Sequence, residues 1–307
     1  MPQPVPPSPN PAANPSVSAP APRPIRFVHR GQVQEVSGLP PTTTVLQWLR
    51  EHARCTGTKE GCAEGDCGAC TVVVGELDAD GTLQRRTVNA CIQFLPTLDG
   101  RALFTVEDVS TQCGPGTLHP CQQAMVDCHG SQCGFCTPGF VMSLWHQYET
   151  HATPQPRAEL ADALAGNLCR CTGYRPILDA GEQMHTAPRQ ALDTAPTVAL
   201  LNGLQADADL LATGPNAQRP GSAQRFFAPR SLDALASLRQ ALPDARLLAG
   251  STDIGLWVNK QFRDLGDILY LGRVAELQAI TPLPDGRPRR LRAVRPRRSP
   301  GAHRARA

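Results

Sequence analysis

Four cysteines in the first third of this chain have a spacing that suits a metal cluster. They lie in the glycine-rich stretch GTKEGCAEGDCGACTVVV and, further on, in VNACI, and they are Cys62, Cys67, Cys70 and Cys91. A C-x4-C-x2-C run with a later fourth cysteine is the plant-type spacing of 2Fe-2S ligands. The glycines let the loop wind tightly and present backbone N–H groups to anionic sulfur atoms. We interpret the four cysteines as 2Fe-2S ligands, and zinc binding or burial as free thiols are the alternatives.

A second group of four cysteines is split between two later motifs. Cys133 and Cys136 lie in GSQCGFCTPGF, and Cys169 and Cys171 lie in GNLCRCTGYRPIL. Both motifs precede predicted helix starts, so antiparallel pairing of these helices would bring the motifs together, with helix N-termini facing an anionic cluster. Spacing alone leaves zinc open at this site. A redox dithiol is less well supported, because a thioredoxin-like CxxC occurs in a βαβ setting.

The elements around the first motif predict a small mixed α+β domain over residues 25–108. IRFVHRGQVQEV reads as two strands around Gly31, and TTTVLQWLREHA reads as an amphipathic helix capped by Thr42 or Thr43. CTVVVGEL and RRTVNACIQFL are rich in β-branched residues and predict strands. The first cysteine loop therefore connects a helix to a strand.

The elements around the second motif predict four helices over residues 112–188. Pro120, Pro138 and Pro176 each fall where a helix can begin. Residues 189–222 carry scattered proline, alanine and glycine and predict a linker. From residue 223 a third unit begins, with a helix capped by Ser231 and the strand ARLLAG.

The four remaining cysteines match neither motif and are expected to be buried reduced thiols; they are Cys55, Cys113, Cys121 and Cys128.

Composition excludes several classes of protein. Residues 1–24 contain ten prolines and no apolar core of a signal peptide, so we expect a disordered arm. No stretch reaches the roughly 18 consecutive apolar residues of a membrane span. The formal charge of +3 does not favour a nucleic-acid binder. We therefore expect a cytoplasmic protein, in which the twelve cysteines are not structural disulfides.

In combination and in this order, the motifs resemble the iron–sulfur portion of the molybdenum hydroxylases, the xanthine dehydrogenase and aldehyde oxidase family. The resemblance covers about residues 25–280 and implies an α+β multidomain fold. It implies a β-grasp, ferredoxin-like domain with one 2Fe-2S cluster, a four-helix domain with a second, and an FAD-binding α+β domain from residue 223. The implied ligands are Cys62, Cys67, Cys70 and Cys91 for the first cluster and Cys133, Cys136, Cys169 and Cys171 for the second.

The resemblance also implies the direction of electron flow. In this family electrons leave a molybdopterin, pass the helical-domain cluster and then the ferredoxin-type cluster, and reach FAD and NAD. By position, Gln132 matches a residue near the molybdopterin of the partner, although without the family it reads as a polar residue at a helix end. The stretch LLAGSTDIG, alone an ordinary strand and turn, resembles the FAD loop. The implied FAD contacts are Leu247, Leu248, Ala249, Gly250, Ser251, Thr252, Asp253 and Ile254.

Fusion of iron–sulfur and flavin parts in one chain resembles the branch that contains the small subunits of bacterial xanthine dehydrogenases. The implied function is electron transfer in purine oxidation, beside a molybdopterin-binding large subunit in a heteromeric assembly, with no membrane or nucleic-acid partner. We assign no catalytic residue to this chain and expect it to be inactive alone. The alternatives are a small subunit of a hydroxylase acting on an aldehyde or N-heterocycle, and a non-catalytic iron–sulfur or zinc adaptor.

The resemblance ends near Ile280, and residues 281–307 carry nine arginines against the single acid Asp285. A nucleic-acid-binding arm and a solvated tail are two interpretations. We favour a third, a shift of reading frame that truncates a longer flavoprotein. The flavin part then spans residues 223–280, about 58 residues, which is near the lower limit for an independent core. With the strands that would cover RLLAG and DILYL absent, we do not expect stable FAD binding.

Overall fold

The structure is a computed structural model that describes residues 20–278 and the backbone of 280–282 and 288–290. Its first unit is a five-stranded sheet with the strand order β2-β1-β5-β3-β4. The parallel pair β1 and β5 lies at the centre, as in a β-grasp, and the other neighbours are antiparallel. The strands are β1 (Ile25–His29), β2 (Gln32–Val36), β3 (Thr71–Leu77), β4 (Leu83–Asn89) and β5 (Ala102–Phe104).

Helix α1 (Val45–Gln47) continues as a π-helical segment, Trp48–His52, and is capped at Thr44. The Thr44 hydroxyl accepts the Gln47 N–H at 3.1 Å, and the Gln47 side-chain oxygen accepts the Thr44 N–H at 2.8 Å. The cap therefore lies one or two residues later than the sequence predicts. The reciprocal pair requires a threonine three residues before a glutamine, which Thr44 alone satisfies.

The second unit is helical, and its longest helix is buried against the sheet. Its helices are α2 (Val106–Gln112), α3 (Pro120–Asp127), α4 (Thr137–Thr150), α5 (Arg157–Leu164) and α6 (Arg175–Gln183). Helices α3, α4 and α6 each carry a proline in their first turn, as predicted. In α4, Phe140, Trp145 and Tyr148 are almost fully buried. Helix α2 spans the predicted boundary at residues 108–112, so the two units are continuous.

The structure differs from the expectation of a linker over residues 189–222. This segment contains α7 (Ala195–Gln205) and β6 (Leu210–Pro215). Helix α7 buries Leu201 and Leu204 in the core that lies on the helical side of the first sheet. The small residues of the segment gave a weak apolar pattern, and only contact with distant strands makes the helix a core element.

The third unit is a four-stranded sheet of order β6-β7-β9-β8, in which β9 runs parallel to β7 and β8. Its further elements are β7 (Ala223–Ala228), α8 (Leu232–Ala241), β8 (Arg246–Leu248), α9 (Ile254–Asn259) and β9 (Ile268–Tyr270). The Ser231 hydroxyl caps α8 by accepting the Ala234 N–H at 3.2 Å. After two short 3-10 turns, β10 (Ile280–Pro282) pairs antiparallel with β11 (Pro288–Arg290).

The first and third units share one hydrophobic core, which corrects the expectation that the RLLAG and DILYL strands lack cover. Leu248, Ile268 and Tyr270 belong to the same buried cluster as Phe27 of β1. The buried Arg101 donates to the Tyr270 hydroxyl at 2.8 Å across this boundary. Because the ferredoxin-like sheet itself covers these strands, the third unit does not depend on an independent core.

The two ends of the chain lie mostly outside the described residues. The predicted disordered arm falls outside them up to residue 19, whereas Arg23 pairs with Asp99 at 2.7 Å and its N–H donates to the Leu211 carbonyl at 3.1 Å. The interpretation of 281–307 as a frame-shifted tail falls largely outside them as well. Within the described part of the chain, no helix has the length and apolar character to cross a bilayer.

Candidate metal centres

The first cysteine motif forms a loop between α1 and β3 whose backbone N–H groups converge on Cys62. The N–H groups of Glu64, Asp66 and Cys67 lie 3.5, 3.4 and 3.4 Å from the Cys62 sulfur. Partial burial raises the pKa of the Cys62 thiol, but these three donors outweigh burial and lower it to about 7. A loop that stabilises a thiolate before any metal binds has the property expected of a cluster ligand.

The sulfur atoms of the first set are arranged as two pairs. Cys62 hydrogen-bonds with Cys67, and Cys70 hydrogen-bonds with Cys91. This second bond lowers the pKa of Cys70 and raises that of Cys91. Cys70 and Cys91 are buried, each 2% exposed, whereas Cys62 and Cys67 are half-buried.

The second set shows the same arrangement across the two later motifs. Cys171 hydrogen-bonds with Cys133, and Cys136 hydrogen-bonds with Cys169. Burial, followed by the bond to Cys169, raises the pKa of Cys136 to about 12. Cys133 and Cys171 are exposed, whereas Cys169 is buried. One pair of this set therefore faces the surface and the other faces the interior.

Two sulfur pairs per set fit a binuclear cluster, in which each iron takes two protein ligands. Among the described residues, no three His, Cys, Asp or Glu side chains converge as they would around one metal ion. All twelve cysteines are free thiols. The donor chemistry of the two sets, four thiols each beside backbone N–H groups or hydroxyls, fits a 2Fe-2S centre.

The two cysteine sets touch through their backbones. The N–H of Leu168, next to Cys169, donates to the carbonyl oxygen of Cys67 at 2.9 Å. The buried Asn167 side chain donates to the Gly68 carbonyl at 2.9 Å and to the Thr71 hydroxyl at 3.0 Å. Sequence reasoning did not identify Asn167. Its position two residues before the CxC motif, where a buried amide can reach a neighbouring loop, was the available signal.

Glycine 68 is required for this contact. Its φ of +68° lies in the left-handed region. A Cβ added there would lie 2.2 Å from the Gly166 carbonyl oxygen and 2.7 Å from the Asn167 amide nitrogen. Any larger residue would therefore push the two cysteine loops apart.

Gln132 lies in the turn that precedes α4 and is exposed beside the exposed Cys133. The exposed apolar side chains Phe135, Leu168 and Tyr174 lie in the same two cysteine motifs. The accessible side of the second cysteine set thus carries both a polar side chain and apolar surface.

The stretch Leu247–Ile254 forms the end of β8 and the turn before α9, as its pattern predicts. Leu248 is buried, and Gly250, Thr252 and Asp253 are exposed. Ser251 adopts a left-handed φ of 65°, and its hydroxyl is buried with no hydrogen-bond partner among the described residues. An unpaired buried hydroxyl in an otherwise open turn fits a loop that completes its hydrogen bonds with a bound group.

The four remaining cysteines divide into two kinds. Cys55 and Cys121 are buried, as expected, whereas Cys113 and Cys128 are half-buried. Burial raises the pKa of the Cys121 thiol, so it stays protonated. Its sulfur lies 3.1 Å from the His119 ring nitrogen Nδ1. The hydrogen bonds of Cys55, Cys121 and Cys128 go to His29, His119 and Gln183 and not to a cysteine of either set.

Three family models match the chain in consecutive segments. Residues 27–95 match a 2Fe-2S iron–sulfur cluster binding domain, and residues 105–182 match a [2Fe-2S] binding domain. Residues 221–286 match an FAD binding domain in molybdopterin dehydrogenase. The chain thus carries two 2Fe-2S-binding domains and part of an FAD-binding domain. These matches favour iron–sulfur clusters over zinc at both cysteine sets.

Curated relatives are much longer than this chain. Aldehyde oxidase 1 of Cavia porcellus is 48% identical over 164 residues, which is 52% of this chain and 12% of that protein. Xanthine dehydrogenase of Blastobotrys adeninivorans is 44% identical over 157 residues, or 51% of this chain and 11% of that protein. Aldehyde oxidase 2 of Cavia porcellus is 35% identical over 304 residues, or 85% of this chain and 22% of that protein. The chain therefore spans less than a quarter of the length of these relatives.

Proposed function

Since this chain belongs, through its iron–sulfur and FAD-binding domains, to the xanthine dehydrogenase and aldehyde oxidase family of molybdenum hydroxylases, we propose that it is the electron-transfer small subunit of a xanthine dehydrogenase. In this proposal a separate large subunit binds the molybdopterin and oxidises a purine. The present chain carries the electrons toward FAD and NAD, and it has no hydroxylase activity alone.

The observation that carries the proposal is the hydrogen-bonded contact between the two cysteine loops. Leu168 links Cys169 of the second set to the Cys67 carbonyl through one backbone hydrogen bond of 2.9 Å. When bound, a 2Fe-2S cluster takes up and releases single electrons. The proposed ligands are the four cysteines of each set. Because the two loops are joined by this hydrogen bond, they would hold the two centres at a constant separation.

The exposure of the second set supports an order for the electron path. Its pair Cys133 and Cys171 is exposed, with Gln132 beside it. We propose that the molybdopterin-binding subunit covers this face and that Gln132 lies near its cofactor. The exposed Phe135 and Leu168 supply apolar contact surface there.

We propose the stretch from Leu247 to Ile254 as the FAD contact of this chain. The Ser251 hydroxyl in that turn is buried without a hydrogen-bond partner among the described residues. Since the first unit covers the strands that flank this turn, the structure removes one reason for expecting FAD to be lost. The sequence alone predicts that this chain does not bind FAD stably. Purified protein with one FAD per chain would contradict that prediction.

A specific observation favours a second candidate, a small subunit of an aldehyde-oxidising enzyme. Aldehyde oxidase 1 shares 48% identity with this chain, slightly above the 44% of the xanthine dehydrogenase. An N-heterocycle hydroxylase is a variant of the same candidate. Substrate would bind in the large subunit in either case, so the residues of this chain do not discriminate between them.

Twelve free thiols suit a reducing compartment, and we propose the cytoplasm.

Anaerobic purification followed by metal analysis and EPR tests the electron-transfer proposal. We expect about four iron atoms per chain and, after dithionite reduction, two distinct rhombic signals. A colourless zinc protein would overturn it in favour of an adaptor. Copurification with a molybdenum-containing chain tests the assembly. In that complex, bleaching of the visible absorbance by xanthine favours a xanthine dehydrogenase, and bleaching only by an aldehyde or N-heterocycle favours the second candidate.

A further inference from the structure

A single side chain of the third unit bridges the two chain segments that carry the first cysteine set. The side-chain amide nitrogen of Asn259, at the end of α9, donates to the Cys91 carbonyl at 2.6 Å and to the Ala63 carbonyl at 3.0 Å. Ala63 follows Cys62 in the cysteine loop, and its φ of 55° is left-handed. Asn259 thus connects the loop that carries three of the cysteines to the turn that carries the fourth.

The chemistry of the amide suits this double contact. An asparagine NH2 group has two hydrogens and can donate to two carbonyl oxygens at once. Both neighbours are carbonyl oxygens, which accept only, so the nitrogen and not the oxygen of the amide must face them. Leucine has the same number of side-chain heavy atoms but no donor, and it would leave both carbonyl groups without these bonds.

Two further contacts hold α9 in this position. Gly255 packs so closely on the Cys91-bearing turn that an added Cβ would lie 2.8 Å from the Ile92 carbonyl oxygen. At the other end of the helix, the Lys260 ammonium lies 3.3 Å from a Glu64 carboxylate oxygen of the cysteine loop. Helix α9 therefore lies against the first cysteine set along its length, while its first residue belongs to the proposed flavin loop.

We propose that Asn259 is a positioning residue for the ferredoxin-type cluster: by bonding both ligand-bearing segments from the flavin unit, it sets the geometry and reduction potential of that centre. This inference rests on the proposed function and deepens it, because it makes the flavin unit part of the cluster's own support. Asn259 acts through the Cys91 and Ala63 carbonyl groups and touches no sulfur in the hydrogen bonds described.

The direction of the effect follows from the orientation of the amide. Its N–H dipoles point their positive ends toward the cysteine loop, which favours the extra negative charge of the reduced centre. Removing the donor should therefore make the first centre harder to reduce. We expect the reduction equilibrium to fall by about tenfold, which corresponds to about 59 mV for a one-electron couple.

The test is an EPR-monitored reductive titration of the Asn259→Leu variant in the full chain. The ferredoxin-type signal should shift in its g-values and move to lower potential, while the helical-domain signal in the same sample stays unchanged. The control is Asn202→Leu, the same substitution at an exposed asparagine of α7. It should leave both signals unchanged, and it reports any general effect of the substitution.

The possible outcomes are distinct. A wild-type protein without 2Fe-2S signals would overturn the proposed function and the inference together. Two normal signals in the wild type, with the same potentials and g-values in Asn259→Leu, would overturn the inference alone. If the variant does not fold, Gly255→Ala tests the same contact through the helix, because it displaces α9 while keeping the amide; unchanged signals there would also overturn the inference.

Discussion

The Leu168 N–H donates to the Cys67 carbonyl oxygen at 2.9 Å, so a residue adjacent to one proposed cluster ligand is bonded to a proposed ligand of the other cluster. The Asn167 side chain repeats the contact one residue earlier by donating to the Gly68 carbonyl at 2.9 Å. Two loops that lie about a hundred positions apart in the sequence thereby meet at the proposed cluster sites. The predictions below test this contact and the core that supports it.

Substituting Gly68 by alanine should disrupt both cysteine loops. The new Cβ would lie 2.2 Å from the Gly166 carbonyl oxygen, and the left-handed φ of +68° would be strained as well. We expect a clear loss of iron per chain and a lower melting temperature. Gly166→Ala is the matched control, because a Cβ there meets nothing within 4 Å. Equal iron content in the two variants would contradict the prediction.

Replacing Asn167 by leucine, which has the same number of side-chain heavy atoms but no polar group, should destabilise the contact. The variant leaves the Gly68 carbonyl and the Thr71 hydroxyl with fewer partners and the Ser143 hydroxyl without its 2.6 Å acceptor. Loss of partners for buried polar groups costs about 1–3 kcal/mol each. Urea unfolding, with the exposed Asn202→Leu as reference, measures the loss. A free energy of unfolding equal to that of the reference would show that the contact contributes nothing.

Truncation of Leu201 tests whether α7 is a core element. The side chain is 0% exposed and packs in the core on the helical side of the first sheet. Leu201→Ala should lower the free energy of unfolding by about 2–5 kcal/mol, since a buried leucine leaves a cavity. Asn202→Ala, at the exposed neighbour, should change it by less than about 0.5 kcal/mol. A true linker would give two equal, small values.

Acidification should destabilise the protein through the buried His119 and the half-buried His146. Burial lowers the pKa of His119 and of His146 to about 4, against about 6.5 in the unfolded chain. Between these values the unfolded state binds protons that the folded state does not, so the free energy of unfolding falls as pH drops from about 6.5 to about 4.

Urea unfolding at a series of pH values measures this slope. In His119→Asn, which keeps a side chain able to cap α3, the slope over the same range should be smaller than in the wild type. A variant with an unchanged slope would mean that His119 does not carry its share of the acid sensitivity.

The metal-binding motifs could be found in the sequence because ligand spacing along the chain is a local property. The spacing of Cys62, Cys67 and Cys70 among glycines identified the first cluster type, and the family models agree with it. The second set, from Cys133 to Cys171, had no equivalent signature. It required the resemblance to distinguish iron–sulfur from zinc, and the match over residues 105–182 supports that choice.

Elements that are stabilised by distant segments of the chain could not be predicted from local sequence patterns. Helix α7 and strand β6 lie in a segment whose small residues resemble a linker, and they are stabilised by β1, β3 and β7. The cover of Leu248 and Ile268 by the first sheet was likewise missed. The partners of α7 in β1 and β3, and the first-sheet residues that cover Leu248 and Ile268, lie more than a hundred positions away, and a local pattern carries no signal of them.

By itself the sequence indicated 2Fe-2S chemistry for the first cysteine set and the order of the domains, because cysteine spacing, glycine content and helix-starting prolines act within a few residues of each other. Only the tertiary structure decided how the cysteines pair, which pair is exposed, and that Leu168 and Asn259 bind the loops of Cys67 and Cys91. These contacts join segments brought together by folding, and a hydrogen bond between distant segments leaves no periodic trace in either one.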